Sequence, residues 1–230
     1  MKKQIYKIRS SITKKIKSKS RYFLATKSLK PLSRKFGFDR GTPIDRFWIE
    51  SFLKENRRQI KGKCLEITDN FYIKKFGLSK VKTRDVLDID IKNKKANIHG
   101  DLRNLKNKIK DNSYDCVILT HVLGAIDEYE KALLEIKRIL KPGGVLLLTS
   151  SCFSPIYIQG PKNYWRFTPD GAKHVFGNIF GERKVKVKSY GNVLTGQCFW
   201  VGMSQEELSK YELEYNDPEF PCIVGVLARK

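Results

Sequence analysis

The 230-residue chain has no apolar run of the roughly 20 residues that a bilayer-spanning helix needs. No apolar stretch follows the basic start as a secretory signal would require. The protein is therefore expected to be neither secreted nor integral to a membrane. Cysteine is sparse, and Cys64, Cys116, Cys152, Cys198 and Cys222 show no CxxC spacing. Two of them fall in predicted core strands, which points to reduced thiols in a cytosolic compartment. With three His and no His/Cys/carboxylate group at ligand spacing, no metal site is expected. Acidic residues are also few: 46 Lys+Arg face 24 Asp+Glu, a formal net charge of +22. What remains, a hydrophobic fraction of 40% with 13 Phe, describes a globular protein. Its length allows one well-buried domain with appendages.

The positive charge is concentrated at the start. Residues 1–40 hold 14 Lys/Arg against the single Asp39. Within them Ile5, Ile8, Ile12 and Ile16 recur at spacings that make one narrow helical stripe, with Lys3, Lys7, Arg9, Lys14, Lys15 and Lys17 on the other faces. A basic amphipathic arm of this kind lies on an anionic membrane surface, packs its stripe on its own domain, or grips nucleic-acid phosphates. The stripe favours an apolar partner. Membrane contact through residues 1–20 and docking on the chain's own domain carry equal weight, and nucleic acid comes third.

The rest is organised around residues 112–151. Tyr114 to Thr120 is an apolar run typical of a strand buried on both faces. Asp127, three residues before Glu130, is placed as an N-cap, and Tyr129, Ala132, Leu133, Ile136, Ile139 and Leu140 follow at helical intervals. Lys141-Pro142-Gly143-Gly144 ends that helix, and Val145 to Thr149 is a second apolar run. Strand, crossover helix and strand form a βαβ unit with parallel neighbours. Upstream, Thr42-Pro43 predicts a helix start, with Ile44, Trp48, Ile49, Phe52 and Leu53 as its buried face and Gly62 as its stop. Further strands are expected at 63–67, 85–90, 96–102, 184–189 and 222–228, and a helix from Thr168-Pro169 to Phe180. Ser204 and Glu207 have capping-box spacing.

YDCVILTHVL followed by a helix and ILKPGGVLLLT, together with NYWRFTP at 163–169, resembles the class I S-adenosylmethionine-dependent methyltransferases of the type 11-like group. FDRGTPIDR with the following IE and FL is similar to a subgroup found beside glycosyltransferases in polysaccharide and glycolipid pathways. The resemblance implies an α/β, Rossmann-like fold: a mostly parallel seven-stranded sheet with an antiparallel C-terminal edge hairpin. It divides the chain into a basic arm (1–40) and a methyltransferase domain (41–230). That domain would comprise an accessory helix (41–60), a cofactor-binding core (61–155) and acceptor-side loops and strands (156–230).

The resemblance also implies roles. S-adenosylmethionine is the expected cofactor. Glu66, Ile67 and Thr68 would border its methionine end, Asp90 its ribose, with Asp88 in reserve, and Asp101 and Leu102 its adenine; Thr120 leaves the fourth strand toward the same crevice. The family's glycine-rich turn is missing after Glu66: Thr68-Asp69-Asn70 stands there, and Asp and Asn tolerate left-handed torsions better than most residues. His121 is the candidate general base, although a lone histidine is more often structural. Tyr164, Arg166 and Arg46 are the candidate acceptor contacts. Arg40, Asp45 and Arg46 either line the mouth of the site or tie the helix to the body by ion pairs. The expected activity is O-methylation of a small or lipid-linked sugar-containing acceptor by a cytoplasmic protein, peripheral at the inner membrane surface if the arm binds lipid. The alternative is a non-catalytic methyltransferase-like module docking on a membrane or a glycosyltransferase. An RNA methyltransferase is third, since only charge recommends it.

Overall fold

The computed structural model describes residues 27–156, 158 and 160–230. The Ile5/Ile8/Ile12/Ile16 stripe lies outside them. The strands are β1 (Gly62–Ile67), β2 (Val81–Asp88), β3 (Ile98–His99), β4 (Tyr114–Thr120), β5 (Leu140–Ser151), β6 (Val185–Tyr190) and β7 (Ile223–Arg229). They form one sheet in the order β3-β2-β1-β4-β5-β7-β6. The first five are parallel neighbours, and β7 runs antiparallel to both β5 and β6. The Rossmann-like sheet and its antiparallel edge thus match the expectation.

Both faces of the sheet are covered, which explains why β4 and β5 read as unbroken apolar runs rather than alternating ones. Tyr114, Val117, Leu119, Leu146 and Leu148 enter one core with α3 (Tyr129–Ile139) and α4 (Pro169–Phe180). Cys116, Ile118, Val145 and Leu147 enter the other, with α1 (Ile44–Glu55), α2 (Phe71–Gly77) and α5 (Val193–Trp200). The five cysteines are free, and four of them are buried. A last short helix, α6 (Lys210–Glu214), carries its own capping box from Ser209.

Several boundaries differ from the sequence expectation. β2 ends at Asp88 rather than Asp90, because the Asp88 carboxylate turns the chain by accepting the Asp90 N–H at 2.9 Å. The third strand shrinks to Ile98–His99. Thr42 does not cap α1: Pro43 occupies that position, and the Thr42 N–H and hydroxyl bond the Glu206 carboxylate instead. α1 stops at Glu55, well before Gly62. Asp127 does not cap α3, which begins after Glu128 without a side-chain cap; the Asp127 carboxylate pairs with Arg103 at 2.6 Å. Helices α2, α5 and α6 were not anticipated. By contrast, Thr168 caps α4 as expected, accepting the Gly171 N–H at 3.1 Å. The Ser204/Glu207 capping box is present too.

That capping-box turn fixes the start of α1. Arg40 pairs with Glu207, Thr42 with Glu206, and Pro43 bridges to Ser204. At the other end Phe52 lies so close to Gly225 of β7 that a Cβ there would stand 2.4 Å from its ring. α1 is therefore held at both ends, and its first turn points Asp45 and Arg46 toward the carboxyl edge of the sheet.

Candidate active site

In an open parallel sheet, ligands sit beyond the carboxyl ends of the strands. Two features occupy that edge here. The first is a crevice above β1 and β2. Glu66, at the end of β1, is buried, and its two oxygens accept the Tyr72 and Ile73 N–H groups at 3.1 and 2.8 Å. It therefore ties the start of α2 to the strand and shapes the loop between them. Burial pushes the Glu66 carboxyl up to about 7, against the pull of those two donors. Thr68 adopts φ 74°, the left-handed torsion that a glycine would otherwise supply. Its carbonyl accepts Asn93 Nδ2 at 2.7 Å, and the same nitrogen donates to Asp88 Oδ2 at 2.6 Å. Asn93 thus clasps the two loops together across the crevice.

Asp90 lies two residues past the strand, exposed, with Oδ1 accepting the Lys92 N–H at 2.9 Å. Asp101 is held by the Arg103 guanidinium, and Leu102 beside it is buried. Thr120 ends β4 on the same edge. The residues fit the implied cofactor in acceptor chemistry, since carboxylates at successive strand ends accept from ribose hydroxyls and an exocyclic amine. They fit in backbone path as well, because Thr68 takes the glycine-like torsion. The carboxylates do not converge freely, however. Glu66 faces α2, Asp88 faces Asn93, and Asp101 is shared with Arg103.

The second feature is a cavity of about 370 Å³ beside that crevice, lined by Asp45, Arg46, His121, Ser151, Trp165 and Arg166 among others. His121 follows β4 in a left-handed conformation, φ 55°. Its Nδ1 is 3.8 Å from Asp45 Oδ2 and 3.4 Å from Ser151 Oγ. His121 Nε2 and Asp45 Oδ1 are buried and have no hydrogen-bond partner among the described residues. Unpaired buried polar atoms are costly. Both atoms belong to residues that line the cavity, although the atoms themselves are shielded from water. Burial lowers the His121 pKa from its ordinary 6.5; Asp45 opposes the shift, and Arg46 and Arg166 add to it.

Arg46 donates to the Tyr72 hydroxyl at 3.3 Å and lies over the Phe38 ring. The mouth and the ion-pair readings of this helix are both partly realised: Asp45 and Arg46 line the cavity, whereas Arg40 is spent on Glu207. The loop after β5 is hung on Gly124, whose carbonyl accepts the Tyr164 and Trp165 N–H groups at 2.8 and 3.1 Å. A Cβ on Gly124 would meet the Trp165 carbonyl at 2.9 Å, so only glycine lets the loop approach. Phe167 is buried in the core, Trp165 Nε1 donates to the Ile126 and Asp127 carbonyls, and Arg166 faces the cavity. Tyr164 is exposed and does not line it.

The juxtaposition of Asp45, Ser151 and His121 was not legible in the sequence. These residues come from α1, β5 and the end of β4, and only the fold brings them together. Asn93 likewise carried no signal. His99, in β3, and His174, in α4 beside Asn178, belong to neither feature. No group of His, Cys, Asp or Glu suited to a metal is present among the described residues.

Residues 78–148 match the family model described as a methyltransferase domain. The chain is 34% identical over 109 residues to a demethylmenaquinone methyltransferase of Staphylococcus saprophyticus, covering 46% of this chain and 42% of that protein. A counterpart in Staphylococcus epidermidis is 37% identical over 89 residues, 38% of this chain and 34% of its own. The chain thus spans less than half the length of these curated relatives. Among solved structures, a SAM-dependent methyltransferase from Archaeoglobus fulgidus superposes with a TM-score of 0.55 at 14% identity, covering 80% of this chain and 94% of that one. The cyclase SpnF superposes with a TM-score of 0.51 at 13% identity, covering 88% of each chain. At such identities the superpositions establish the fold alone, and SpnF shows that one fold hosts more than one chemistry. Most of the βαβ unit of 114–151 thus falls within the segment, 78–148, that matches the methyltransferase-domain model, on a fold shared with solved SAM-dependent methyltransferases.

Proposed function

We propose that the protein transfers a methyl group from S-adenosylmethionine to an oxygen of a small or lipid-linked, sugar-containing acceptor. The observation that carries this reading is the cavity lined by His121 and Asp45, each of which keeps one buried polar atom without a partner among the described residues. When bound, the cofactor supplies an electrophilic methyl group on a sulfonium, so the protein's task is alignment, proton removal and exclusion of water. Glu66 and Ile67 shape the loop at the methionine end, and Thr68 gives it a left-handed turn. Asp90 is the ribose carboxylate in this reading: it is exposed, whereas Asp88 is engaged in the turn and with Asn93. Asp101 and Leu102 border the base, and Thr120 closes the β4 side. Neutral His121 accepts the acceptor hydroxyl proton at Nε2, while Asp45 stabilises the imidazolium that forms. Arg46 and Arg166 line the acceptor side, whereas exposed Tyr164 does not.

The family model stops at residue 148 and begins after α1, so it covers neither Asp45, Arg46 nor Arg166. The acceptor is therefore a property of segments outside that match. The curated relatives' name, demethylmenaquinone methyltransferase, supports a lipid-borne acceptor without specifying a sugar. We further propose that residues 1–20 bring the protein to an anionic membrane surface where such acceptors reside. A test is incubation of the full-length protein with methyl-labelled S-adenosylmethionine and a bacterial polar-lipid extract. Label in a glycolipid fraction supports the reading; label in the quinone fraction, or none in any lipid or soluble sugar, contradicts it.

A second reading has one specific observation behind it. The Asn93 clasp on Thr68 and Asp88 draws together the loops between which the cofactor must lie. A non-catalytic module docking on a membrane or a glycosyltransferase would retain such a clasp and bind no cofactor.

A further inference from the structure

Apart from Arg229, which bonds the Gly143 carbonyl and Gln59 Oε1 at the opposite edge of the sheet, Arg166 differs from the other arginines that are at least partly shielded from solvent. Arg40 pairs with Glu207, Arg103 with Asp101 and Asp127, and Arg138 with Glu135 and Asp111. Arg46 has Asp45 and Glu50 near enough to raise its pKa and a bond to the Tyr72 hydroxyl. Arg166 has no carboxylate partner among the described residues. Burial alone shifts its pKa, downward, with no acid to oppose it. Its guanidinium is instead held by two backbone carbonyls, Trp165 O at 3.0 Å and Ser154 O at 3.5 Å. Carbonyls orient a guanidinium without neutralising it, so the charge stays available on the cavity wall.

A half-buried, uncompensated cation is unfavourable in the empty protein and favourable once an anion arrives, since charge-assisted guanidinium bonds to carboxylate or phosphate are strong and planar. The cavity that Arg166 lines also holds His121 and Asp45. A hydroxyl meeting His121 therefore belongs to a molecule with room to reach Arg166. The two arginines of the cavity divide by position. Arg46 sits on α1 and bonds to Tyr72 on α2, on the side of the loop after β1. Arg166 sits on the loop after β5, against Trp165 and Ser154.

Resting on the methyltransferase reading above, we infer that the acceptor carries a carboxylate or a phosphate near the hydroxyl to be methylated, and that Arg166 is the residue that binds it. An acidic or phosphorylated sugar has this chemistry. A neutral sugar would leave the guanidinium unmatched.

The test uses the full-length protein saturated with S-adenosylhomocysteine, titrated in parallel with glucuronate, glucose 1-phosphate and glucose. At least one anionic sugar is expected to bind tenfold or more tightly than glucose, and which one it is separates carboxylate from phosphate. Arg166→Gln is expected to bring that preference to within twofold, Arg166→Lys to retain part of it, and both to leave S-adenosylhomocysteine affinity within twofold of wild type. Equal binding of the three sugars, failure of both anionic sugars to bind, or an undiminished preference in Arg166→Gln would overturn the inference. So would a loss of S-adenosylhomocysteine affinity in Arg166→Gln, since the guanidinium would then serve the cofactor's carboxylate. The wild-type comparison decides even if the variants do not fold. If the wild type binds no S-adenosylhomocysteine, the methyltransferase reading falls, and the sugar comparison on the cofactor-free protein still tests the anion subsite.

Discussion

Two ionisable side chains at the carboxyl edge are held away from their ordinary behaviour, and each has a measurable consequence. His121 is kept below pH 6.5 by burial, so its ring is neutral at pH 7 and able to take a proton. The acid limb of the rate profile is therefore expected below pH 6.5, and Asp45→Asn, which removes the charge that raises the pKa, moves that limb lower. Because His121 sits at φ 55°, Asn is the fairer replacement, as it tolerates left-handed torsions. His121→Asn should slow methyl transfer by about 100-fold or more while S-adenosylhomocysteine affinity stays within twofold. Glu66 shows the opposite shift. Its folded pKa is raised from 4.5 to about 7, so its contribution to stability is present at low pH and lost as pH rises through that window. The change is at most ~3 kcal/mol. Thermal unfolding should show the melting temperature of wild type falling relative to Glu66→Gln between pH 5 and pH 8; a constant difference would mean that Glu66 is ionised throughout.

At the scale of elements, α1 is the part on which the cavity lined by Asp45, Arg46 and His121 depends. Its contact with Gly225 leaves no room for a Cβ, so Gly225→Ala should destabilise the protein by about 1–3 kcal/mol in denaturant unfolding. Adding Phe52→Leu should recover part of that loss, and strict additivity of the two changes would contradict the packing argument. The helix was legible because Ile44, Trp48, Ile49, Phe52 and Leu53 repeat at helical spacing and all five are buried. Its cap was misread because Thr42 found a distant partner, Glu206, instead of the nearby amides. β2 was placed too late, from 85 to 90 instead of Val81 to Asp88, because the turn made by the Asp88 side chain, which breaks the strand, has no sequence signal of its own. By contrast, the placing of Glu66, Asp90 and Asp101 in or just after successive strands could be read from the sequence. The His121–Asp45–Ser151 grouping could not, since sequence spacing does not encode contacts among α1, β4 and β5.

The whole molecule is strongly basic, with the excess greatest in residues 1–40. No helix among the described residues is long and apolar enough to cross a membrane. Surface attraction is one physical route to a bilayer, worth about 1 kcal/mol for each nearby Lys or Arg. In flotation, the full chain should rise with anionic vesicles and not with neutral ones, less so in high salt, whereas a chain truncated before Lys30 should stay below. Equal flotation of both chains would assign the arm to another role. The central claim, however, concerns the crevice above β1 and β2, where Thr68 takes a left-handed torsion and Glu66, Asp90 and Asp101 are the proposed cofactor contacts. Calorimetric titration of the full-length protein with S-adenosylhomocysteine tests it most directly. Saturable 1:1 binding by wild type, abolished in Asp90→Ala, is the expected result; a wild-type protein that binds none would contradict the account.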